Sequence, residues 1–142
     1  MEKTNKVREA TARKEPDNTL DLLLNMDIQA PRTEKVKMKR LSSICGQDVV
    51  FTIKQLSYNR VNEIIEQYRF DTDMSVFIML AGTVSPKLKD KNLLDKYEAV
   101  TPAELLKKLL LPGEIEDISR EIQRLCGYRQ NTFEIVDDVK KK

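Results

Sequence analysis

The sequence contains no histidine. It therefore lacks the usual general base near neutral pH and the commonest transition-metal ligand, and a serine or cysteine nucleophile would need a lysine or carboxylate partner. Its four glycines are isolated at the ends of predicted elements, so they form no phosphate-binding loop, and no nucleophile elbow is present. We predict that the protein is not an enzyme and has no catalytic residue.

Cysteine is also scarce. Only Cys45 and Cys126 occur, and their spacing matches no zinc or redox motif. In a lysine-rich chain without an export signal, two cysteines favour reduced thiols in a cytosol, and a disulfide between them is the alternative that the sequence leaves open. We expect no metal site and no cofactor.

Long hydrophobic runs are missing. The longest, at residues 76–81, is far shorter than the ~20 residues that span a bilayer, and the charged start of the chain is not followed by the apolar stretch of a signal peptide. The net charge is only +2, with both signs mixed along the chain, whereas nucleic-acid binders usually show a clustered basic excess. We therefore expect a soluble protein inside the cell, bound to neither membrane nor nucleic acid.

The composition allows one domain with an aliphatic core, because 40% of the 142 residues are hydrophobic but only 6% are aromatic and none is tryptophan. Residues 1–17 are charged and lack large apolar side chains, which predicts a flexible tail. A short amphipathic helix is predicted over residues 18–30, followed by the helix breaker Pro31. A single α+β domain is predicted over residues 34–133, and a second flexible tail over residues 134–142.

The predicted amphipathic helix has two interpretations. Leu20, Leu23 and Leu24 share one of its faces, while Leu22 lies off that face. The helix could pack on the core of its own chain, as most such helices do. It could also be a peptide that docks on a partner protein.

A period-two pattern predicts a small antiparallel hairpin at residues 34–56. Its predicted parts are a strand at residues 34–41, a turn at 42–47 and a second strand at 48–56. The apolar face should point inward and carries Val49, Phe51 and Ile53. The opposite, solvated face carries Lys35, Lys37 and Lys39.

The remainder of the domain is predicted to be helical. Ser57 should cap one helix, residues 74–82 should form a second, and Asp90 should start a short turn. The clearest local signal is the capping box Thr101-Pro102-Ala103-Glu104, and the break at residues 111–113 separates its helix from a last one that ends at Gly127. The fold class predicted is α+β.

The helix after Thr101 is richer in leucine than one core-facing stripe requires. We predict that part of this surface binds other proteins. The predicted partner-binding leucines are Leu105, Leu106, Leu109, Leu110 and Leu111, together with Leu20, Leu23 and Leu24 in the first helix.

A second functional hypothesis concerns residues 118–136, where a helix, a turn at Gly127 and a polar stretch have the outline of a helix-turn-helix. It would make the chain a small DNA-binding regulator of a phage or mobile element. The stretch after the turn is short for a recognition helix and its one cation is Arg129. The count of cations thus favours an ordinary helix end.

Several segments, in their order and spacing, resemble one known family. They are VKMKRL at residues 36–41, DVVFTIKQLS at 48–57, AGTVSP at 81–86, TPAELLKKLLLPGEI at 101–115 and LCGY at 125–128. They are similar to the XkdN-like tail assembly chaperones of bacteriophages and phage-derived elements, over roughly residues 34–142.

This resemblance implies a helper of tail morphogenesis that works in the host bacterial cytoplasm and is not part of the mature virion. The partners it implies are the long, hydrophobic tape-measure protein and the tail tube protein, and a homo-oligomer is a further candidate. It implies no catalytic residues.

Overall fold

A computed structural model of the chain describes residues 18–136. The predicted tail at residues 1–17 lies outside the described residues, as do residues 137–142 of the predicted C-terminal tail. The chain divides into two compact units, Met1–Ala30 and Pro31–Lys142. The division falls at Pro31, where the sequence predicts the end of the first helical segment.

The described part of the first unit contains helix α1, Asn18–Asn25. It is shorter than the predicted span of residues 18–30, and residues 26–30 have no regular structure. The Asn25 side chain donates a hydrogen bond of 2.7 Å to the Asp21 carbonyl. This bond competes with continuation of the helix, because asparagine side chains offer the backbone alternative partners near helix ends.

The second unit combines three strands with six helices among its described residues. The strands are β1 (Thr33–Lys37), β2 (Val50–Lys54) and β3 (Thr83–Ser85). The helices are α2 (Lys39–Cys45), α3 (Tyr58–Tyr68), α4 (Met74–Gly82), α5 (Lys91–Lys96), α6 (Pro102–Leu109) and α7 (Pro112–Leu125). The predicted α+β class is confirmed.

The sheet has the order β1-β2-β3, and both pairs are antiparallel. The predicted pairing of β1 with β2 is confirmed, with Val36 opposite Phe51. Phe51 and Ile53 are fully buried and Val49 is half-buried, whereas Lys35, Lys37 and Lys39 are exposed. The alternation of apolar and charged residues therefore set the register, as the sequence predicts.

The predicted first strand and its turn are wrong in part, because residues 39–45 form helix α2. Met38, Leu41 and Ser42 are buried, a helical spacing that places one side of α2 on the core. Gly46 ends this helix with a φ of 73° and donates its N–H to the Ser42 carbonyl. Tertiary burial thus overrides the alternation of lysine with Val36 and Met38.

Strand β3 is absent from the prediction. Its three residues are too few to establish a period-two pattern, and it follows α4 directly. It forms because α4 delivers the chain to the free side of β2, where Thr83 lies opposite Ile53 and Ser85 opposite Thr52.

Helix α4 is buried on several sides and packs on both α6 and α7. Gly82, at its end, lies so close to α7 that an added Cβ would stand 2.6 Å from the Ile122 Cδ1 atom. The lack of a side chain at Gly82 thus allows this close approach. The core around these helices includes Met79, Leu105 and Ile122.

The predicted caps of α3 and α6 are confirmed, and Asp90, predicted to start only a short turn, caps helix α5. Ser57, Asp90 and Thr101 each accept a hydrogen bond from the backbone N–H three residues later. Glu104, however, accepts from the N–H of Val100 and so reaches one residue beyond the cap position. The predicted break at Pro112 is also confirmed, since Pro112 begins α7.

Candidate functional site: an apolar groove between three helices

The leucines at residues 105–111 divide between the core and the surface. Leu105, Leu106 and Leu110 are at most 4% exposed and belong to the core, so they cannot contact a partner in this folded state. Leu109 is half-buried, and Leu111 is 51% exposed. The prediction of a partner surface therefore stays a prediction for Leu109 and Leu111 only, because α4 and its neighbours cover the other three.

The leucines of α1 have the opposite environment. Leu20, Leu23 and Leu24 are between 60% and 72% exposed, and Leu22 is 46% exposed. A helix of eight residues cannot bury its own apolar face, and helices this short are marginal in water. Contact with a partner therefore stays a prediction for Leu20, Leu23 and Leu24.

A third apolar surface is a groove of about 380 Å³ between α3, α4 and α7. We call it the helical groove. Its apolar lining comes from all three helices, from Leu56 in the loop between β2 and α3, and from the turn after α7. The lining includes Leu56, Val61, Ile64, Ile65, Met74, Ile78, Ile122 and Cys126.

The depth of the helical groove varies along its lining. Ile64 and Ile122 are fully buried and form its floor, whereas Val61, Ile65 and Met74 are half-buried and reach its walls. Ile65 differs from the other wall residues because it is not packed against the main core cluster. The groove can therefore accept apolar side chains without any displacement of the core.

Polar groups lie mostly at the rim. Glu116 of α7 and Arg129 of the turn after α7 both line the groove, and both side chains are exposed. Near its floor, the thiol of Cys126 accepts a hydrogen bond of 3.3 Å from the Leu56 N–H. This bond ties the end of α7 to the end of β2 and leaves the groove lining largely apolar.

Cys45 and Cys126 are free thiols. Residues 18–136 contain no group of three or more potential ligands that could hold a metal ion. Glu34, Glu114 and Glu121 have perturbed pKa values and belong to ion-pair networks that link different elements, whereas the pKa of Glu104 is lowered by the Val100 N–H and by Lys108 of its own helix. None of these carboxyl groups lines the helical groove.

One such ion pair fixes the end of α6. Arg40 donates to both carboxylate oxygens of Glu114, at 2.9 and 3.0 Å, and also to the Leu109 carbonyl. The hydrogen bonds from Arg40 hold the pKa of Glu114 below its ordinary value, with help from the Leu111 N–H. The pair joins α2 to the junction of α6 and α7.

The groove is a feature that the sequence pattern did not identify. The spacing of Val61, Ile64 and Ile65 predicts only a core-facing helix, which is correct for Ile64. A helix stripe can cover the core and also form one wall of a cleft, and periodicity does not separate these two roles. The one sequence feature that could have indicated the groove was the width of the apolar stripe on α3.

The helix-turn-helix alternative lacks its second helix. Helix α7 ends at Leu125, Gly127 has a φ of 97°, and residues 131–136 have no regular structure. Up to residue 136, where the described chain ends, no recognition helix follows the turn. Separately, none of the helices between residues 18 and 136 combines the length and apolar character needed to span a bilayer.

Comparison with known proteins agrees with the resemblance found in the sequence. The family model described as phage XkdN-like tail assembly chaperone protein matches residues 20–140. The crystal structure of the protein yqbn is similar, with a TM-score of 0.56 and 25% identity, and the match covers 72% of this chain and 92% of that chain. No curated protein matches the chain.

Proposed function

The chain belongs to the phage XkdN-like tail assembly chaperones, and from this premise we propose that its helical groove binds apolar helices of the tape-measure protein. Bound in this way, the tape-measure protein would be kept from aggregation while tail tube subunits assemble around it. We infer that this occurs in the host cytoplasm and that the chaperone is absent from the finished virion. The proposal involves binding alone, with no catalysis and no cofactor.

The observation that carries the proposal is the apolar lining of the groove, with a buried floor and half-buried walls. Three helices and a turn surround a volume of about 380 Å³, which lies in the range of ~300–1,000 Å³ found for binding pockets. A hydrophobic groove between helices commonly binds the apolar face of an amphipathic helix. A segment with large aliphatic residues one turn apart matches this shape.

The strength of such binding suits a temporary complex. Burial of one leucine, isoleucine or phenylalanine contributes ~1.5–3 kcal/mol, so a few anchors in the groove provide useful affinity after the entropy cost of association. A chaperone must release its client when assembly proceeds. Contact through a small apolar groove, without a buried ion pair, favours both capture and release.

The rim charges favour one orientation of the client. Glu116 and Arg129 have opposite signs and line the groove from α7 and from the turn that follows it. Exposed charges contribute little to affinity but influence orientation and the rate of encounter. A client helix with a cation near Glu116 and an anion near Arg129 would therefore bind faster than its reverse.

The test is replacement of Ile65 with aspartate. Ile65 is half-buried in the groove wall and lies outside the main core cluster, so Ile65→Asp should leave the fold intact. A carboxylate in an apolar groove must be desolvated on binding, which should reduce capture of purified tape-measure protein at least ~10-fold. Capture is measured by pull-down and by titration calorimetry.

The matched control is Asn62→Asp. Asn62 is exposed on the same helix and does not line the helical groove, so this variant adds the same charge outside it. It should bind like the unmodified chain. Equal loss of capture in both variants would indicate a general charge effect, and no loss in Ile65→Asp would place the client elsewhere.

A further inference from the structure

Strand β1 is an edge of the described sheet, because the order is β1-β2-β3. Two backbone hydrogen bonds, one beyond each end of the paired strands β1 and β2, show which residues of β1 direct their N–H and C=O groups toward β2. Met38 donates to the Val49 carbonyl at 2.9 Å, and Gln55 donates to the Arg32 carbonyl at 2.8 Å. In an antiparallel pair, successive residues direct their N–H and C=O groups alternately toward and away from the neighbouring strand. The even-numbered residues of β1 therefore direct these groups toward β2.

It follows that Thr33, Lys35 and Lys37 direct their N–H and C=O groups away from β2, toward the open edge. Within residues 18–136, these backbone groups have no hydrogen-bond partner. The side chains of Lys35 and Lys37 are exposed on the solvent face, and Val36 on the core face is only half-buried. The open edge of β1 is thus short and cationic, and its core face is only partly buried.

The C-terminal segment begins beside this edge. Arg32, immediately before β1, donates to the carbonyl of Leu125 at the end of α7. Arg124 donates to Glu34 of β1 at 2.8 Å, and Gln130 donates to the Arg124 carbonyl at 2.6 Å. Residue 131 therefore leaves the turn near the first residues of β1.

Residues 131–136 carry a strand-like pattern in a segment without regular structure. Phe133 and Ile135 alternate with Glu134, and the stretch is rich in residues that favour strands. Phe133, Ile135 and Val136 are between 71% and 78% exposed. Three large apolar side chains exposed within four residues are unusual unless the segment has a docking site.

We propose that residues 132–136 of the same chain add to the open edge of β1 as a fourth strand. Because the segment starts at the same end as β1, it runs parallel to β1. Phe133 and Ile135 lie on the core face, with Ile135 beside Val36, and Glu134 lies on the solvent face beside Lys35. The open edge is therefore a binding site for an extended apolar and acidic peptide, a surface distinct from the helical groove.

Two features of the molecule favour this occupant. Opposite charges meet across the strands, since Glu134 faces the lysine side of β1, and such cross-strand pairs are stabilising. The segment is also covalently attached next to the edge, which gives it a high effective concentration there. A covered edge would in turn prevent pairing between edges of different molecules.

The test compares amide hydrogen exchange, resolved by NMR, in the full chain and in a chain ended after Gln130. The amides of Thr33, Lys35 and Lys37 should exchange about tenfold faster in the shortened chain, because they lose their partners. The amides of Glu34 and Val36, which bond to β2, are the internal reference and should change much less. Circular dichroism confirms that both chains are folded.

A pair of substitutions tests the alternation. Ile135→Asp places a carboxylate on the core face and should reproduce the fast exchange of the shortened chain. Val136→Asp places the same group on the solvent face near the lysines, so exchange should stay slow. The two variants differ by one position, and only a strand predicts opposite results for them.

Three outcomes would overturn the proposal. Exchange at Lys35 and Lys37 that is the same in the full and shortened chains would show that the segment leaves the edge open. Equal effects of the two aspartate variants would exclude a strand in this register. A dimer that is lost with residues 131–136, seen by size-exclusion chromatography with light scattering, would show that a second copy supplies the strand.

Discussion

Helices α1 and α6 contain similar leucine clusters with opposite environments. Both helices have eight residues, and the sequence predicts an apolar surface wider than a single stripe for each. Leu105 and Leu106 in α6 are fully buried, whereas Leu20, Leu23 and Leu24 in α1 are mostly exposed. Leucine density therefore does not distinguish a core helix from a candidate docking helix.

The difference lies in what surrounds each helix. Helix α6 begins at a complete cap formed by Thr101, ends at a residue whose carbonyl accepts from Arg40, and packs on α4. Helix α1 belongs to a separate unit whose described residues include no second element. An apolar helix becomes core only where the chain supplies elements to cover it, and residues 18–30, the described part of this unit, supply none for α1.

The largest expected effect is on α6. Leu106→Ala should lower the free energy of unfolding by ~2–5 kcal/mol, because it removes a fully buried side chain and leaves a cavity. Leu111→Ala and Leu24→Ala, at exposed positions, should change it by no more than ~0.5 kcal/mol. Urea unfolding followed by circular dichroism measures all three. A large loss at Leu24 would break the comparison, since it would show α1 to be part of a core.

The second prediction concerns the ion pair that holds the end of α6. Glu114→Gln should lower the free energy of unfolding by ~1.5 kcal/mol at neutral pH, through loss of the charged hydrogen bonds with Arg40. Glu116→Gln, which affects only an exposed pair with Arg120 on the same helix, should cost ~0.5 kcal/mol or less.

The pH dependence of this pair has a definite sign. Arg40 lowers the pKa of Glu114 below its ordinary value of 4.5, so the folded state holds the carboxylate more strongly than the unfolded state does. Its stabilising contribution is complete above pH 4.5 and is lost as the pH falls through the lower, folded-state pKa. The difference in melting temperature between the unmodified chain and Glu114→Gln should shrink over that window, and a constant difference would contradict this explanation.

The smallest effect on stability is expected for a substitution in α1, which should instead weaken binding. Leu23→Asp should change the free energy of unfolding by ~0.5 kcal/mol or less, because the side chain is exposed. If α1 docks on a partner, the same change should weaken capture of the tape-measure protein about tenfold, since burial of one leucine contributes ~1.5–3 kcal/mol. Leu22→Asp, on the other side of the helix, is the control and should bind normally.

Local signals in the sequence predicted much of the fold. The caps at Ser57 and Thr101, the break at Pro112 and the stop at Gly127 each depend on a few adjacent residues, so they are correct. The register of β1 against β2 is also correct, because each lysine on β1 marks the wet face. These features are determined within a few residues of chain.

The errors involve elements whose conformation depends on distant contacts. The pattern predicts residues 39–41 as the end of a strand and residues 42–47 as a turn, but burial of Leu41 and Ser42 against the core favours a helix at residues 39–45. Strand β3 exists only because α4 brings its three residues next to β2. The helical groove likewise requires α3, α4 and α7 together. Helix α3 ends at Tyr68 and α7 begins only at Pro112, a separation beyond the reach of any local pattern.

The sequence by itself determined the fold class, the family, most helix ends and the lack of histidine chemistry, since these depend on composition and short-range order. The tertiary structure alone decided which leucines are core and which are surface, and it assembled the groove and the open edge of β1. The physical reason is that burial is a property of pairs of elements. A leucine in the sequence indicates a side chain that favours burial, but the elements packed around it determine whether it is buried.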